Sequence, residues 1–195
     1  KAHFFDSASP AGYPIGTITN NFILGLLNTS FVNDLTKLLN PTLHFKVGNC
    51  RNIPIIDNSF TTLPHVEKSI ELSRLDWNSR ETSWDFETSP LLNETNSLDQ
   101  ACQTWQEQVT QDFFQLHTNE EELNRIFIDI YGLRDELTPE VALKDITILQ
   151  EELKKNDMVA LEQEFRANGA NAIELPIDKG EVISQFISYA IGLFM

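Results

Sequence analysis

The 195-residue sequence predicts an α+β protein that is mainly α-helical, with a small β component. Apolar side chains recur at spacings of three and four residues through most of the chain, as on the buried face of a helix. The clearest such run follows a capping box at Ser97–Gln100 and comprises Leu98, Ala101, Cys102, Trp105, Val109, Phe113 and Leu116. Leu43–Val47 alternates apolar and polar residues, which predicts a half-buried strand, and His3–Phe5 is a second candidate strand.

The first helix is predicted to begin at about Ile18, with Thr17 or Thr19 as its N-cap. Asn28–Ser30 should interrupt it, because short polar side chains compete for backbone hydrogen bonds. A second helix then follows. Pro41 ends it, because the residue before a proline is driven out of helical geometry.

The region after Pro41 is predicted to be extended. Leu43–Val47 forms the strand, and Gly48-Asn49 forms a tight turn. Ile53–Ile56 is a further extended run, which Pro54 restricts to a sheet edge or a loop because proline cannot donate to a ladder.

The central helices are predicted from their end signals. Pro64 suits the first turn of a helix that runs to about Asn78, and a polar connection then leads to the helix that begins at Ser97. His117–Asn119 is expected to end that helix and to cap another, which Gly132 terminates. We expect the helix that begins at Ser97 and the helix that begins at Asn119 to form an antiparallel pair.

The C-terminal region reads as two further helices. A charged helix is predicted from about Leu149 to Ala167, and Asn168–Asn171 breaks it. Leu175–Ile177 is expected to be extended, and the last helix to start near Gly180.

The net charge of −15 is unevenly distributed. Residues 1–60 carry four bases and three acids, a net +1, whereas the other 135 residues carry ten bases and 26 acids, a net −16. Because an acidic surface repels phosphate, the first 60 residues are the better candidate for any contact with nucleic acid. The simpler interpretation of the acidity is that it marks solvated helix faces.

The cysteines and the ends of the chain indicate its cellular compartment and its place in a longer polypeptide. Cys50 and Cys102 have no paired spacing, which argues against a disulfide scaffold or a zinc knuckle and favours a reducing, cytoplasmic compartment. The chain begins without Met and ends in an apolar run, so we expect it to be a piece of a longer polypeptide. That final run is too short for a membrane span.

Few residues predict chemistry. The four histidines lack metal-ligand spacing, and no glycine-rich phosphate loop or serine elbow is present. Arg51 could favour a thiolate at Cys50, but no histidine lies beside it in the sequence to act as a base. Trp84 and Phe86 could stack on a nucleic-acid base, or could pin the connection to a core.

Several segments resemble a known family. The end of a target-recognition region of adenine-specific DNA methyltransferases, as in type II restriction-modification and phage-defence systems, is similar to Leu26–Ser30, Asn40–Gly48 and Ile53–Ile55. The PglX-type methyltransferases of BREX phage-defence systems are similar to Asp76–Phe86, Asn119–Leu133, Glu136–Glu140 and Ile187–Gly192.

The resemblance implies a bacterial parent protein that transfers a methyl group from S-adenosylmethionine to adenine N6. That chemistry requires a glycine-rich cofactor loop and an Asn/Asp-Pro-Pro-Tyr/Phe motif that holds the flipped base. Neither is present, and Asn40–Leu43 is not that motif. We therefore assign no catalytic, cofactor-binding or metal residue, and we expect the methyltransferase domain, with its S-adenosylmethionine site, upstream.

The organisation implied is a C-terminal part of a target-recognition-like domain (1–60), a helix with a polar linker (61–96) and a helical domain (97–195). Its expected role is to frame DNA recognition without catalysis, with Lys46, Asn49 and Arg51 as candidate DNA contacts. The expected partners are DNA, through the parent protein, and the upstream domain, without a membrane. The alternatives are an acidic helical scaffold that docks other defence-system subunits and, third, a free-standing enzyme.

Overall fold

A computed structural model describes residues 13–40, 47–57, 59–92 and 97–194. The α-helices of these residues are α1 (Asn20–Leu27), α2 (Ser30–Leu39), α3 (Val47–Arg51), α4 (Ser59–Asn78), α5 (Leu98–Tyr131), α6 (Lys155–Asn168) and α7 (Lys179–Gly192). Short 3-10 helices span Leu143–Asp145 and Ala170–Ala172. The prediction of a mainly α protein is confirmed. None of the described helices has the length and apolar character needed to cross a bilayer.

The predicted small β component is not seen in the described ranges, where the β pairing is one antiparallel bridge between Leu153 and Ile177. The candidate strand His3–Phe5 and residues 43–46 of the other candidate lie outside those ranges. Val47 opens helix α3, and the predicted turn at Gly48-Asn49 lies inside that helix. An extended segment needs a neighbouring strand for its backbone groups, whereas a helical turn satisfies them locally.

The corner between α1 and α2 forms as predicted. Thr19 is the N-cap of α1, and its Oγ1 accepts a hydrogen bond from the Phe22 amide at 3.1 Å. The predicted break at residues 28–30 is confirmed: α1 ends at Leu27 and Thr29 caps α2. Helix α2 ends at Leu39, two residues before Pro41.

Helix α4 ends at Asn78 as predicted but begins at Ser59, so Pro64 lies inside it rather than in its first turn. Proline there removes one backbone donor. Burial of the residues on either side of Pro64 offsets the loss of this hydrogen bond: Thr62 is 0% exposed and Val66 is 2% exposed. Tertiary packing therefore extends the helix through a residue that would locally start one.

The expected antiparallel pair is wrong: α5 is one helix of 34 residues. The side chains predicted to cap a second helix bind elsewhere. His117 Nε2 lies 2.8 Å from the Val141 carbonyl oxygen, and Thr118 Oγ1 donates to the Phe114 carbonyl one turn earlier. With no glycine or proline between residues 98 and 131, nothing breaks the helix.

Gly132 ends α5 as predicted. It adopts φ +67°, and its amide donates to the Asp129 carbonyl while the Leu133 amide donates to the Ile128 carbonyl. These two bonds form a Schellman motif, which favours glycine at the left-handed position.

Helix α6 begins at Lys155, six residues after the predicted start, because Leu149 takes a left-handed backbone conformation with φ +56°. Gly169, φ +81°, ends α6 within the predicted break. Helix α7 begins at Lys179, next to the predicted Gly180, and the Asp178 carboxylate caps it by accepting from the Gly180 amide at 2.9 Å.

The chain divides into two compact units, here called unit 1 (residues 1–67 and 119–140) and unit 2 (residues 68–118 and 141–195). Within unit 1, the Phe22 and Phe127 rings lie 5.8 Å apart, and both side chains are fully buried. Gly25 of α1 lies so close to α4 that an added Cβ would stand 2.4 Å from Val66 Cγ2. Buried side chains of unit 1 also include Leu26, Phe31, Val32, Leu123 and Ile126.

Unit 2 has a larger apolar core. Its main cluster contains Leu72, Phe113, Leu116, Leu143, Ile146, Ile148, Leu149, Leu153, Met158 and Leu175. A smaller cluster contains Leu91, Ala101 and Val182, with Trp105 and Phe186 packed against it.

Candidate functional site

Asn124 of α5 joins two segments of unit 1 that carry the family resemblance. Its Oδ1 accepts a hydrogen bond from the Ser30 amide at 2.9 Å, and its Nδ2 donates to the Pro139 carbonyl at 3.1 Å. The side chain is buried, with 5% of its surface exposed. Three resembling segments that are distant in the sequence, around residues 30, 124 and 139, therefore meet at one amide.

Tyr131, near the end of α5, holds a fourth segment. Its hydroxyl donates to the Pro54 carbonyl at 2.6 Å and accepts from the Ile56 amide at 3.2 Å. Its ring stacks on Phe31 with 4.2 Å between centroids. Burial raises the pKa of the Tyr131 hydroxyl, although the Ile56 amide opposes this, so the group stays protonated and able to donate.

The predicted DNA-contact residues lie just before this segment. Lys46 is outside the described residues. Asn49 and Arg51 lie on helix α3 instead of in the turn and extended chain that were expected. Asn49 Nδ2 is buried with no acceptor among the described residues, whereas Arg51 is exposed and forms no ion pair with a described carboxylate.

In unit 2, two further resembling segments meet. Phe86 packs edge-on against Tyr189 of α7 with 5.5 Å between ring centroids, and Ser188 donates to a Glu81 oxygen at 2.7 Å. Trp84 is 88% exposed. Phe86 therefore holds the connection to α7 through Tyr189, whereas the Trp84 side chain is exposed to solvent.

Asp76, Arg80 and Glu152 form a buried ion cluster in unit 2, with side chains that are 13%, 10% and 3% exposed. Arg80 donates from Nη1 and Nη2 to the Asp76 carboxylate at 2.8 and 3.0 Å, and from Nε and Nη2 to Glu152 at 3.1 and 2.7 Å. Its remaining N–H donates to the Asp76 carbonyl at 2.9 Å.

All five guanidinium donors of Arg80 are thus satisfied inside the protein. Burial alone would lower the pKa of Arg80, but the bonds to Asp76 and Glu152 outweigh it and raise the pKa above its ordinary range. Arg80 and Glu152 line a cavity of about 250 Å³, yet Arg80 offers no unused donor to a ligand there. The cluster therefore has a structural role: it links α4 to the segment that precedes α6.

The other chemical candidates do not gather into a site. Burial raises the pKa of both the Cys50 and Cys102 thiols, which disfavours the nucleophilic thiolate. His117 is buried against Phe165 at 4.9 Å between centroids. Across the residues that the structure describes, no group of three His, Cys, Asp or Glu side chains could hold a metal ion.

The sequence alone did not indicate the roles of Asn124 and of the Asp76–Arg80–Glu152 cluster. Asp76 lies on α4 and Arg80 lies two residues beyond its end; their four-residue separation was a signal for their pairing. The third member is 72 residues further on from Arg80, and no local pattern indicates it. Asn124 likewise reads locally as an ordinary helix residue.

Comparison with known proteins tests the family resemblance. The chain is 39% identical over 159 residues to the adenine-specific methyltransferase PglX of Lacticaseibacillus casei (strain Zhang), a match covering 78% of this chain and 13% of that protein. It is 28% identical over 177 residues to the adenine-specific methyltransferase BrxX of Escherichia coli O9:H4 (strain HS), covering 89% of this chain and 13% of that protein. No family model matches.

The chain therefore spans about 13% of the length of each relative. The predicted relationship is confirmed: this chain belongs with the PglX-type adenine-specific methyltransferases, to which it is related over most of its length.

Proposed function

We propose that this chain works as a non-catalytic, mainly helical region of a site-specific DNA N6-adenine methyltransferase of a bacterial restriction or BREX phage-defence system, where it frames DNA recognition. The observation that carries the proposal is its relationship to two adenine-specific methyltransferases over 78% and 89% of its length. The remainder of the longer protein supplies the S-adenosylmethionine site and the groups that hold the adenine. The proposed setting is the bacterial cytoplasm.

The charge distribution supports residues 1–60 as the part nearest to DNA. They carry a net +1, in a chain whose other residues carry −16. Arg51 is the favoured contact, because it is exposed and no described carboxylate neutralises it. Asn49 is less favoured because its amide nitrogen faces inward, and Lys46 stays a prediction.

Tyr131 supports this assignment by holding the chain that follows α3. The hydroxyl binds Pro54 and Ile56, three and five residues after Arg51, to the end of α5. We infer that this clasp limits the positions Arg51 adopts. An arginine held by its backbone loses less conformational entropy when it binds a phosphate than one on an untethered loop.

The proposal is tested with duplex DNA and two proteins. By fluorescence anisotropy, the 195-residue chain alone is expected to bind a duplex weakly, because its acidity repels phosphate, and to transfer no methyl group. In the full-length methyltransferase, Arg51→Ala should weaken duplex binding and lower the slope of log affinity against log salt by about one, as loss of one phosphate contact requires.

Lys144→Ala is the matched control, since Lys144 is an exposed base of unit 2. It should leave duplex affinity and its salt slope unchanged. Equal effects of the two substitutions would refute a specific contact at Arg51. Tight, salt-sensitive duplex binding by the chain alone would refute the view that it only frames recognition by the longer protein.

A second candidate function is an acidic scaffold that docks other defence-system subunits. It is favoured by the exposed apolar side chains of α7 and the residues after it: Ile187, Ile191 and Phe194 are 52%, 55% and 92% exposed. Unit 2, which contains α7, has eight bases and 18 acids, a net −10. Phe186 does not belong to this surface, because it packs against the core.

Purified subunits of the same defence system provide the test of docking. Saturable binding of one subunit to the full chain, lost in Ile187→Asp but kept in Val159→Asp on α6, would support it. Val159 is a fair control because it is 59% exposed. Absence of binding by every subunit would leave the DNA-framing function as the one supported.

A further inference from the structure

A groove in unit 2 lies between α5, the start of α7 and the segment around Ile177. Its volume is about 790 Å³, equivalent to roughly 25 liquid water molecules, so it is far larger than a packing defect. The floor is apolar: Trp105, Cys102 and Ile177 are partly buried against the Val182 cluster and face the groove. Apolar floors of this kind are typical of binding grooves.

The groove is long enough to hold a short helix. Its α5 wall runs from Leu98 to Gln111, which at 1.5 Å per residue is about 20 Å. That length matches three to four turns of a second helix laid alongside α5. A compact ligand would instead need several polar groups converging on one point, whereas the polar groups here are spread along the rim.

The rim is acidic. Asp99, Glu107 and Glu174 are exposed, and Lys179 is the basic residue among those lining the groove. None of the three carboxylates forms an ion pair with a described residue. Glu107 and Glu174 accept only amide hydrogen bonds, from Gln103 and Gln106 at 3.3 Å each. Their charges are therefore not neutralised, as would suit a cationic partner.

We propose that this groove binds a basic amphipathic helix of another protein, with the apolar face of that helix on Trp105 and its Lys or Arg side chains toward Glu107 and Glu174. Helix-in-groove recognition of this type uses apolar anchors at spacings of about three and four residues. The site needs neither DNA nor methyl transfer, so it stands or falls separately from the proposed function in DNA recognition.

The test uses the 195-residue chain and two fluorescein-labelled designed helices of about four turns, each with leucines along one face. One helix carries lysines on its other face and the second carries glutamates. In anisotropy titrations the lysine helix should bind saturably and more weakly as salt rises. The glutamate helix should bind at least about tenfold more weakly.

Variants locate the binding. Glu107→Lys with Glu174→Lys should weaken binding of the lysine helix by about tenfold or more, because two attractive charges become repulsive. Glu164→Lys is the matched control: Glu164 is an exposed carboxylate of α6 that does not line the groove, and its change should leave affinity unaltered. Circular dichroism of each variant checks that the fold is retained.

Three results would overturn the proposal. The first is no binding of the lysine helix, or equal binding of the two helices. The second is equal affinity of the groove variant and the Glu164→Lys control. The third is concentration-dependent dimerisation of the chain, by sedimentation, that the groove variant abolishes, since a second copy would then occupy the groove.

Discussion

Replacing Arg80 by methionine should strongly destabilise unit 2. The substitution keeps an unbranched chain of similar length but removes every hydrogen bond that Arg80 donates to Asp76 and Glu152, whose side chains are 13% and 3% exposed. Two carboxylates would then share a buried site without a counter-charge. Gln185, which donates to Glu152 at 3.1 Å, and the Leu149 amide, which donates to Asp76 at 2.9 Å, would remain as their neutral partners.

The expected loss is about 3–5 kcal/mol, the usual effect of removing one partner of a buried ion pair. A domain is commonly stable by about 5–15 kcal/mol, so this is a large fraction of the total. Neutralising the two carboxylates as well, in a triple variant with Asp76→Asn and Glu152→Gln, should recover most of the loss, because the penalty comes from unpaired charge.

Urea unfolding, followed by circular dichroism and by tryptophan fluorescence, measures the change and tests whether the two probes report one transition. Lys68→Met on α4 is the control, because the Lys68–Glu71 pair is 44% and 58% exposed and is worth less than about 1 kcal/mol. If Arg80→Met cost no more than this control, or if the triple variant were no more stable than Arg80→Met, the structural role of the cluster would be refuted.

Three further predictions follow from unit 1. Gly25→Ala should lower the urea midpoint, because its Cβ would lie 2.4 Å from the facing valine of α4, whereas Gly48→Ala, with nothing within 4 Å, should not. Tyr131→Phe should lower the free energy of unfolding in urea by about 1 kcal/mol, because it loses the hydroxyl hydrogen bonds but keeps the ring stack. An unchanged midpoint would exclude a stabilising role for the hydroxyl. Arg134 lowers the pKa of Asp129, so wild-type stability should fall as the pH drops below the ordinary value of 3.8, and Arg134→Gln should flatten that dependence in acid urea titrations; an unaltered pH dependence would count against the pair.

The pH effect has a definite sign. A carboxylate whose pKa is lowered in the folded state contributes stability above its unfolded pKa, and this is lost as the pH falls through the folded value. Glu122, whose pKa is lowered first of all by its hydrogen bond with Arg125, should act in the same direction. Both groups lie on α5, so the titration should be visible in the helical signal.

Helix ends were largely readable from the sequence. The cap at Thr19, the break at residues 28–30, the stop at Gly132 and the start of α7 each depend on residues within about one turn, and each was predicted. The family was also readable, since its motifs are continuous segments, and the comparison confirms it.

Two of the errors share one cause, which is competition between local and distant partners. His117–Asn119 has the composition of a cap, but the His117 ring binds the Val141 carbonyl and α5 continues. Pro64 is typical of a helix start, but burial of Thr62 and Val66 extends α4 past it. The residues next to a polar side chain in the sequence do not indicate which distant acceptor it will bind.

The sequence by itself determined the helical class, most of the helix ends, the charge asymmetry and the relationship to adenine-specific methyltransferases. Only the tertiary structure decided that α5 is continuous and that Asn124 and Tyr131 join four resembling segments. It also decided that Arg80 pairs with Glu152, which is 72 residues away in the sequence. The physical reason is range: capping and helical periodicity act within a few residues, whereas burial and ion pairing depend on which distant segments the fold brings together.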